Sequence, residues 1–383
     1  MVGFVEIVSS MIGSSLPRST RQLVTALALV ASSGCALFRG GNQPEWPSRE
    51  IVLDPVVITG DLELEKLNDE ELFASGESAF ASQDYPTAAR YFDRLVDFHP
   101  GSRHLRPATY NAGLAHEKCG QWEDALLRFS QLADARKGKG DALDSAFRVA
   151  EVLYHLGRYG EAIQVLNELA ARGDLSPGDR LQAQVQRGVC EVEGGGTEAA
   201  EKTFRAALAD YQAIEDKSLV DDYYPAQAQF FLGEVYRLRY QPVSLDPDKG
   251  VDELAKDLEY KAELLLSAQG HYLRAIRIGN GYWATAAGER IGALYENLYE
   301  QLIGSPAPKE LNAEEVEVYR QELRKKVRIL IAKAINIYER TLETAERIGA
   351  ANPFVQRTRE SLRKMKELLI ADAQKDDDAK NTN

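Results

Sequence analysis

The sequence predicts an all-α protein, a solenoid of about five to six helix-turn-helix units closed by C-terminal capping helices. Three observations lead to this prediction. A pattern of small and aromatic residues recurs in the first half of the chain, and the alanines of its second helices, Ala88, Ala125, Ala162 and Ala200, lie 37, 37 and 38 residues apart. Apolar residues within each unit follow the helical period. The remaining chain consists mainly of long helical patterns.

Composition limits the classes of function. The chain has 383 residues, of which 44% are hydrophobic, and a formal net charge of −13 at pH 7. Such acidity disfavours sequence-independent nucleic-acid binding, which needs a basic surface, so we expect no nucleic-acid partner. Five scattered histidines and three cysteines favour neither a metal site nor a disulfide framework. Cys119 and Cys190 lie in apolar helical patterns and are expected to be core residues.

Residues 1–34 have the pattern of a signal peptide. Two arginines precede the apolar run 23–31, which at about 1.5 Å per residue is too short to cross a bilayer core of roughly 30 Å as a helix. A basic segment, a short apolar segment and small residues before a cleavage point define secretory signals. Glu6 is unusual in such a basic segment, and a start at Met11 instead of Met1 would remove it.

The letters SSG before Cys35 resemble the lipobox of bacterial lipoproteins. The resemblance implies cleavage directly before Cys35 and acyl chains such as palmitate on it, and Ala36 in place of aspartate implies export to the outer membrane. The lipobox usually has leucine where this chain has Ser32, which leaves a plain cleaved signal or an unprocessed anchor as alternatives. Residues 35–66 are interrupted by glycine and proline and are predicted to form a tether.

Four units carry the repeat in register. Each has a small residue in its first helix, namely Gly76, Gly113, Ala150 and Gly188. Each also has, in its second helix, an alanine followed by a large apolar residue, namely Phe92, Phe129, Leu166 and Phe204. Small residues let two helices approach closely, and the large side chains fill the remaining space. Each unit leaves an apolar face that only the next unit can bury, so stability is a nearest-neighbour sum.

This pattern resembles the tetratricopeptide repeat, whose period is about 34 residues, with three or four additional residues between units. The join HPGSRHLRPATYNAG is similar to joins in envelope proteins such as the lipoprotein of the outer-membrane β-barrel assembly machine and the periplasmic coordinator linked to the Tol-Pal system. The resemblance implies a non-catalytic scaffold for a protein partner in an envelope complex, attached to the periplasmic side of a Gram-negative outer membrane. By resemblance, the candidate machines are β-barrel assembly, pilus secretin piloting, Tol-Pal or cell-wall coordination, and the gliding-motility lipoproteins of myxobacteria. The six-unit length, the lead-in segment and the long C-terminal helices fit gliding motility best.

The pattern loosens towards the C-terminus. A fifth first helix surrounds Gly233, but its second helix arrives late, so we predict an insertion near 241–260. The solenoid is expected to span 67–302, followed by a capping helical pair over 303–371. Residues 372–383 have almost nothing to bury and are predicted to be disordered.

The concave surface, lined by first helices, is expected to bind a helix or extended segment of the partner. By spacing, its inward-looking residues are Phe73, Glu77, Tyr110, Glu117, Phe147, Glu151, Tyr154, His155, Phe230, Glu234 and Arg237. The aromatic residues among them have an equally good alternative role, the sealing of junctions between repeats. His155 is interpreted as an exposed groove residue rather than a metal ligand.

Motifs for catalysis or cofactors are absent from the sequence: it has no P-loop, no GxGxxG after a strand, no HExxH and no GxSxG. We therefore expect no cofactor, no small-molecule substrate and no enzymatic activity. A peptidoglycan-modifying enzyme or its activator is the alternative, since some cell-wall enzymes also carry helical solenoids. A solute-binding receptor is a further alternative.

Overall fold

The computed structural model describes residues 63–381 apart from 247, 248, 308 and 310, so the predicted signal peptide, Cys35 and most of the predicted tether lie outside the described residues. Within this part, regular structure consists of α-helices and two short 3₁₀ turns. The helices are α1 Asp69–Ala81, α2 Tyr85–Phe98, α3 Leu105–Lys118, α4 Trp122–Leu132, α5 Asp141–His155, α6 Tyr159–Ala170, α7 Pro177–Glu193, α8 Thr197–Ala213, α9 Tyr223–Tyr240, α10 Val251–Ile278, α11 Gly281–Gly304, α12 Ala313–Arg347 and α13 Pro353–Asn381.

Helices α1 to α12 form six hairpins, each with an odd-numbered first helix and an even-numbered second helix. Each helix packs against the next one along the chain, and first helices of neighbouring pairs also touch, as α3 with α5, α7 with α9 and α9 with α11. Helix α13 contacts both α12 and α11, which is the position of a seventh first helix. The prediction of an all-α, repeat-like solenoid is confirmed, with six pairs and one closing helix among the described residues.

Within a pair, the two helices meet where a glycine faces an aromatic ring. This contact recurs as Gly76–Phe92, Gly113–Phe129, Gly188–Phe204, Gly233–Tyr272 and Gly292–Tyr338. A Cβ atom built at any of the first three glycines would lie 2.6–2.7 Å from a ring carbon, well inside the normal contact distance. All five rings are fully buried, so each contributes about 1.5–3 kcal/mol through the hydrophobic effect.

The third pair fills the same space with a different combination. Ala150 stands where the other pairs have glycine, and Leu166 stands where they have a ring. Both side chains are buried, at 2% and 0% exposure. The added methyl group is offset by the loss of the ring, which is a volume-conserving exchange of the kind that cores tolerate.

In the fifth and sixth pairs the ring carries a hydroxyl group, and a buried glutamate of the first helix accepts its hydrogen bond. Tyr272 donates to Glu234, and Tyr338 donates to Glu296 Oε2 at 2.9 Å. A buried phenol without an acceptor would be destabilising, so each tyrosine depends on its glutamate. Sequence analysis did not predict this pairing.

An ionic cluster joins the first pair to the second. Asp93 of α2 accepts from His116 Nε2 of α3 and from Arg128 Nε of α4, both at 2.9 Å, and Arg128 also binds Asp97 at 2.7 and 3.0 Å. Burial disfavours charge on His116, but its hydrogen bonds with Asp93 and Gln121 outweigh burial and raise its pKa. Arg128 and the protonated form of His116 face two carboxylates, so the charges at this junction are compensated internally.

The segment near 241–260 was predicted to be an insertion. In the structure its first half connects two helices and its second half belongs to a helix. Helix α9 ends at Tyr240 and α10 already begins at Val251. Lys261 is fully buried and donates to the carbonyl oxygens of Tyr240 at 3.0 Å and Val243 at 2.6 Å. Since the last carbonyls of a helix lack intrahelical donors, Lys261 completes the end of α9, and the second half of this segment is part of the fifth pair.

The C-terminal boundaries also differ from those predicted. Helix α11 packs against α12, so the sixth pair continues past residue 302, where the solenoid was expected to end, into the predicted cap at 303–371. Helix α13 runs to Asn381, through most of the segment 372–383 that was predicted to be disordered. No glycine or proline follows Pro353 to end this helix.

Gly113→Ala should lower the free energy of unfolding by about 1–3 kcal/mol, because the added methyl group would overlap the Phe129 ring. Urea denaturation followed by circular dichroism measures this change. Gly160→Ala in α6 is the matched control, since a Cβ atom there meets nothing within 4 Å. It should leave stability unchanged or raise it by up to ~1 kcal/mol.

Gly113→Ala combined with Phe129→Leu recreates the alanine and leucine of the third pair. The double variant should regain most of the stability that Gly113→Ala loses, because the smaller side chain makes room for the methyl group. If the two losses simply add, the two positions do not share one volume, and the packing explanation is wrong.

Candidate partner-binding groove

The first helices enclose a cavity of about 670 Å³ on the concave side of the solenoid. It is lined by α3, α5, α7, α9 and α11, with Leu166 as the one lining residue from a second helix. Five residues predicted for partner binding line it, namely Tyr110, Phe147, Glu151, Tyr154 and His155. The structure brings these five together, and their contact with a partner stays a prediction.

One wall of the cavity is built from stacked rings at the C-terminal end of α5. His155 stacks on Trp122 of α4, with ring centroids 4.2 Å apart and an angle of 12° between the planes, and Tyr154 packs edge-on against His155 at 5.5 Å. Burial raises the pKa of Tyr154 to about 12, so its hydroxyl stays protonated at neutral pH. This wall offers a flat aromatic surface with a phenol beside it.

A second wall consists of four aromatic residues at the starts of α9 and α11. Tyr223 lies 5.4 Å from both Tyr224 and Trp283, and Tyr282 lies 5.0 Å from Trp283, measured between ring centroids. Tyr282 is 43% exposed whereas Trp283 is 5% exposed. Sequence analysis missed these residues. The doublets YY and YW, each at or just after a helix start, are the signals that would have found them.

The charged side chains of the cavity carry an excess of negative charge. Its lining contains the carboxylates of Asp144, Glu151 and Asp179 and one guanidinium group, Arg148. Three carboxylates and one guanidinium give a formal charge of −2 when histidine is counted as neutral. Arg148 Nη1 lies 3.2 Å from Glu151 and 3.4 Å from Glu117, so the single cation of the lining is already shared between two carboxylates.

Glu117, another residue predicted for partner binding, holds Arg148 from beside the cavity. Its side chain is 12% exposed. Burial raises its pKa to about 7, and the charge of Arg148 only partly opposes this rise. Glu117 therefore titrates near neutral pH, and its charge decides how strongly Arg148 is held.

Two further predicted residues lie on α1, outside the cavity lining. Phe73 is half-buried and stacks on His104 with centroids 4.4 Å apart and planes 16° apart. Glu77 is exposed. Phe73 thus has the alternative role considered from the sequence, the sealing of a junction between helices, and it also packs on Phe92 at 5.9 Å.

The three predicted residues of α9 lie in packed surroundings. Phe230 is 4% exposed and contacts Trp283 at 4.9 Å, so it is a core residue. Glu234 is 7% exposed and pairs with Arg237 at 2.7 Å and Arg290 at 3.1 Å. These side chains were expected to face an open surface, but the long helices that follow α9 cover them.

Other potential sites of chemistry are few. No group of three or more His, Cys, Asp or Glu side chains is placed to hold a metal ion in the part of the chain that the structure describes. None of the helices in that part is long and apolar enough to cross a membrane. Cys119 and Cys190 are free thiols, and burial raises the pKa of Cys190 to about 12, which makes it an unreactive core residue as predicted.

Glu117→Gln should change the pH dependence of stability. The folded state keeps a proton on Glu117 up to a pKa of about 7, whereas an unfolded chain releases it near 4.5, so wild-type stability falls as pH rises through this interval. At pH 8 the variant should be more stable than wild type by about 1–3 kcal/mol, and at pH 5 this advantage should be small or absent.

Urea denaturation at the two pH values measures this difference. Glu151→Gln is the control, since it removes an exposed carboxylate from the same arginine and should change stability little at either pH. An advantage of Glu117→Gln that is equal at pH 5 and pH 8 would show that burial of this carboxylate does not control its titration.

Comparison with known proteins supports the repeat assignment. Residues 72–102 and 110–179 each match a family model described as tetratricopeptide repeat. No curated protein sequence matches the chain. The matched ranges cover the first helical pair and the segment from α3 into α7.

Several solved structures resemble the fold at low identity. The apo form of RapI is 11% identical, with 81% of this chain and 100% of that chain covered and a TM-score of 0.43. A tetratricopeptide repeat protein from Parabacteroides merdae is 14% identical, with 78% and 98% covered and a TM-score of 0.35. A putative kinesin light chain with TPR-like repeats from Podosopora anserina is 16% identical, with 51% and 96% covered and a TM-score of 0.37.

The family models match part of the chain, and the described helices continue the same hairpin packing beyond the matched ranges. Residues 72–102 and 110–179 are therefore identified as tetratricopeptide repeats, the class of helical repeat whose stacked units form concave binding surfaces.

Proposed function

We propose that the protein is a non-catalytic scaffold that holds a segment of a partner protein in the concave cavity. The observation that carries the proposal is the cavity itself, which runs along the first helices from α3 to α11 and is rich in aromatic side chains. Tetratricopeptide repeats are generally interaction modules, and a partner helix or extended segment is the usual occupant of such a groove.

The proposal includes the location. Lipid on Cys35 would attach the mature chain to the periplasmic face of a Gram-negative outer membrane, and the tether would separate the solenoid from the membrane surface. Support comes from the order of basic, apolar and small residues before Cys35. Several acyl chains give stable attachment where one alone is marginal. Within the envelope, a motility or assembly machine is the proposed setting, with gliding motility preferred.

A photo-crosslinking amino acid at Tyr154 tests the groove in living cells. Tyr154 lines the cavity, so we expect light-dependent crosslinking to a discrete protein partner. Leu127 is the matched control position, because it lies on the second helix α4, is 55% exposed and does not line the cavity. Equal crosslinking at both positions, or none at Tyr154, would contradict partner binding in the groove.

Mass spectrometry of the mature N-terminus tests the anchor. We expect an acylated Cys35 as the first residue, and Cys35→Ser should release the protein from the membrane fraction. An unmodified Cys35, or a different first residue, would overturn the lipid anchor while leaving the groove proposal intact.

Incubation of the purified protein with cell-wall sacculi addresses the enzymatic alternative, and released muropeptides would contradict a purely scaffolding role.

A further inference from the structure

Aromatic rings and carboxylates meet on one side of the cavity. Glu151 of α5 and Asp179 of α7 lie close enough to the tyrosines at the start of α9 to act on them electrostatically. Burial is the main cause of the raised pKa of Tyr223 and Tyr224, and the charge of Glu151 contributes to both, while that of Asp179 contributes to Tyr224. Rings from α9 and carboxylates from α5 and α7 therefore share one small volume.

The cavity does not neutralise these carboxylates itself. Arg148 is shared between Glu117 and Glu151. Asp179 accepts a hydrogen bond from Ser176 Oγ at 2.7 Å and interacts electrostatically with Arg172, but like the exposed Asp144 it forms no ion pair among the residues that the structure describes. Inside a partly enclosed cavity such charges are screened less than on an open surface, so they attract cations.

A second feature of this wall is an unsatisfied donor. The indole N–H of Trp283 has no hydrogen-bond partner among the described residues, although the residue is 5% exposed and lines the cavity. Buried donors usually find an acceptor. Trp283 packs against Tyr223, Phe230 and Tyr282 and its N–H is itself buried, so an acceptor such as a peptide carbonyl reaches it only if the surrounding groups shift when a segment binds. The shift would alter the fluorescence of Trp283.

We infer that the cavity selects a basic protein segment, whose arginine or lysine side chains lie against the aromatic walls and pair with Glu151 and Asp179. The inference rests on the proposed function and names the chemistry of the partner segment. A cation over an aromatic face is attracted by the ring quadrupole, and the attraction grows when the cation loses water. Carboxylates beside the ring strengthen it. An acidic segment would meet repulsion from the same groups.

Fluorescence anisotropy with labelled peptides tests the inference on the purified protein. The probes are peptides of alternating serine with arginine, lysine, glutamine or glutamate. The arginine and lysine peptides should bind at least about tenfold more tightly than the glutamine peptide, more weakly as salt increases, and with a change in intrinsic tryptophan fluorescence. The glutamate peptide should bind most weakly. Arginine amide as a competitor distinguishes recognition of a segment from recognition of a single cation.

Two pairs of variants separate the cavity from the overall charge of the protein. Glu151→Gln with Asp179→Asn should weaken the arginine peptide about tenfold or more. The control pair, Asp124→Asn with Glu198→Gln, makes the same change of charge on exposed positions of second helices, and should have little effect. Tyr282→Ala should weaken binding, whereas Tyr282→Phe, which keeps the aromatic face, should retain it.

Each outcome bears on the inference. Equal binding of the arginine and glutamine peptides, or equal loss with the cavity and control variants, would overturn it, as would arginine amide competing as well as the unlabelled peptide. Crosslinking at Tyr154 without binding of basic peptides would overturn the inferred chemistry and leave the scaffold proposal standing. Absence of crosslinking at Tyr154 would overturn the scaffold proposal itself.

Discussion

The close approach of a glycine to a buried ring is the constraint on which the rest of this structure depends. It fixes the distance between the two helices of a pair, because a side chain on the first helix would collide with the ring on the second. Pairs packed in this way can then stack in sequence, each burying the apolar face of its neighbour. The stacking sets first helix beside first helix, and the concave cavity is the surface that this arrangement leaves open.

The space at this contact is filled jointly by the residue on the first helix and the residue on the second, so a larger side chain at one position requires a smaller one at the other. The third pair shows this directly, since Ala150 is accommodated by Leu166. In the fifth and sixth pairs the ring becomes tyrosine, and a glutamate on the first helix must accept its hydroxyl hydrogen. Packing at the C-terminal end therefore depends on polar partners as well as on shape, and the helices there become longer.

The regular part of the fold could be predicted from the sequence because close packing of the two helices requires the same residue types in each unit. Small and large residues recur at fixed spacing, and five residues placed by that spacing line the cavity. After α9 the repeat spacing no longer predicts which side chains face the cavity. Helices α10 to α13 are longer than their counterparts, and α10 and α11 pack against α9, so positions such as Phe230 become core. The missed tyrosines lie at helix starts, outside the mid-helix register used for prediction.

The junction between the first two pairs and the cavity differ in how far their charges are neutralised. At the joint between the first two pairs, Asp93 and Asp97 are matched by His116 and Arg128 within hydrogen-bonding distance, so little remains for an external group to gain. In the cavity, three carboxylates face one shared guanidinium group. Because binding free energy comes from interactions that the free protein does not already satisfy, a cationic partner gains most at the cavity and little at the joints.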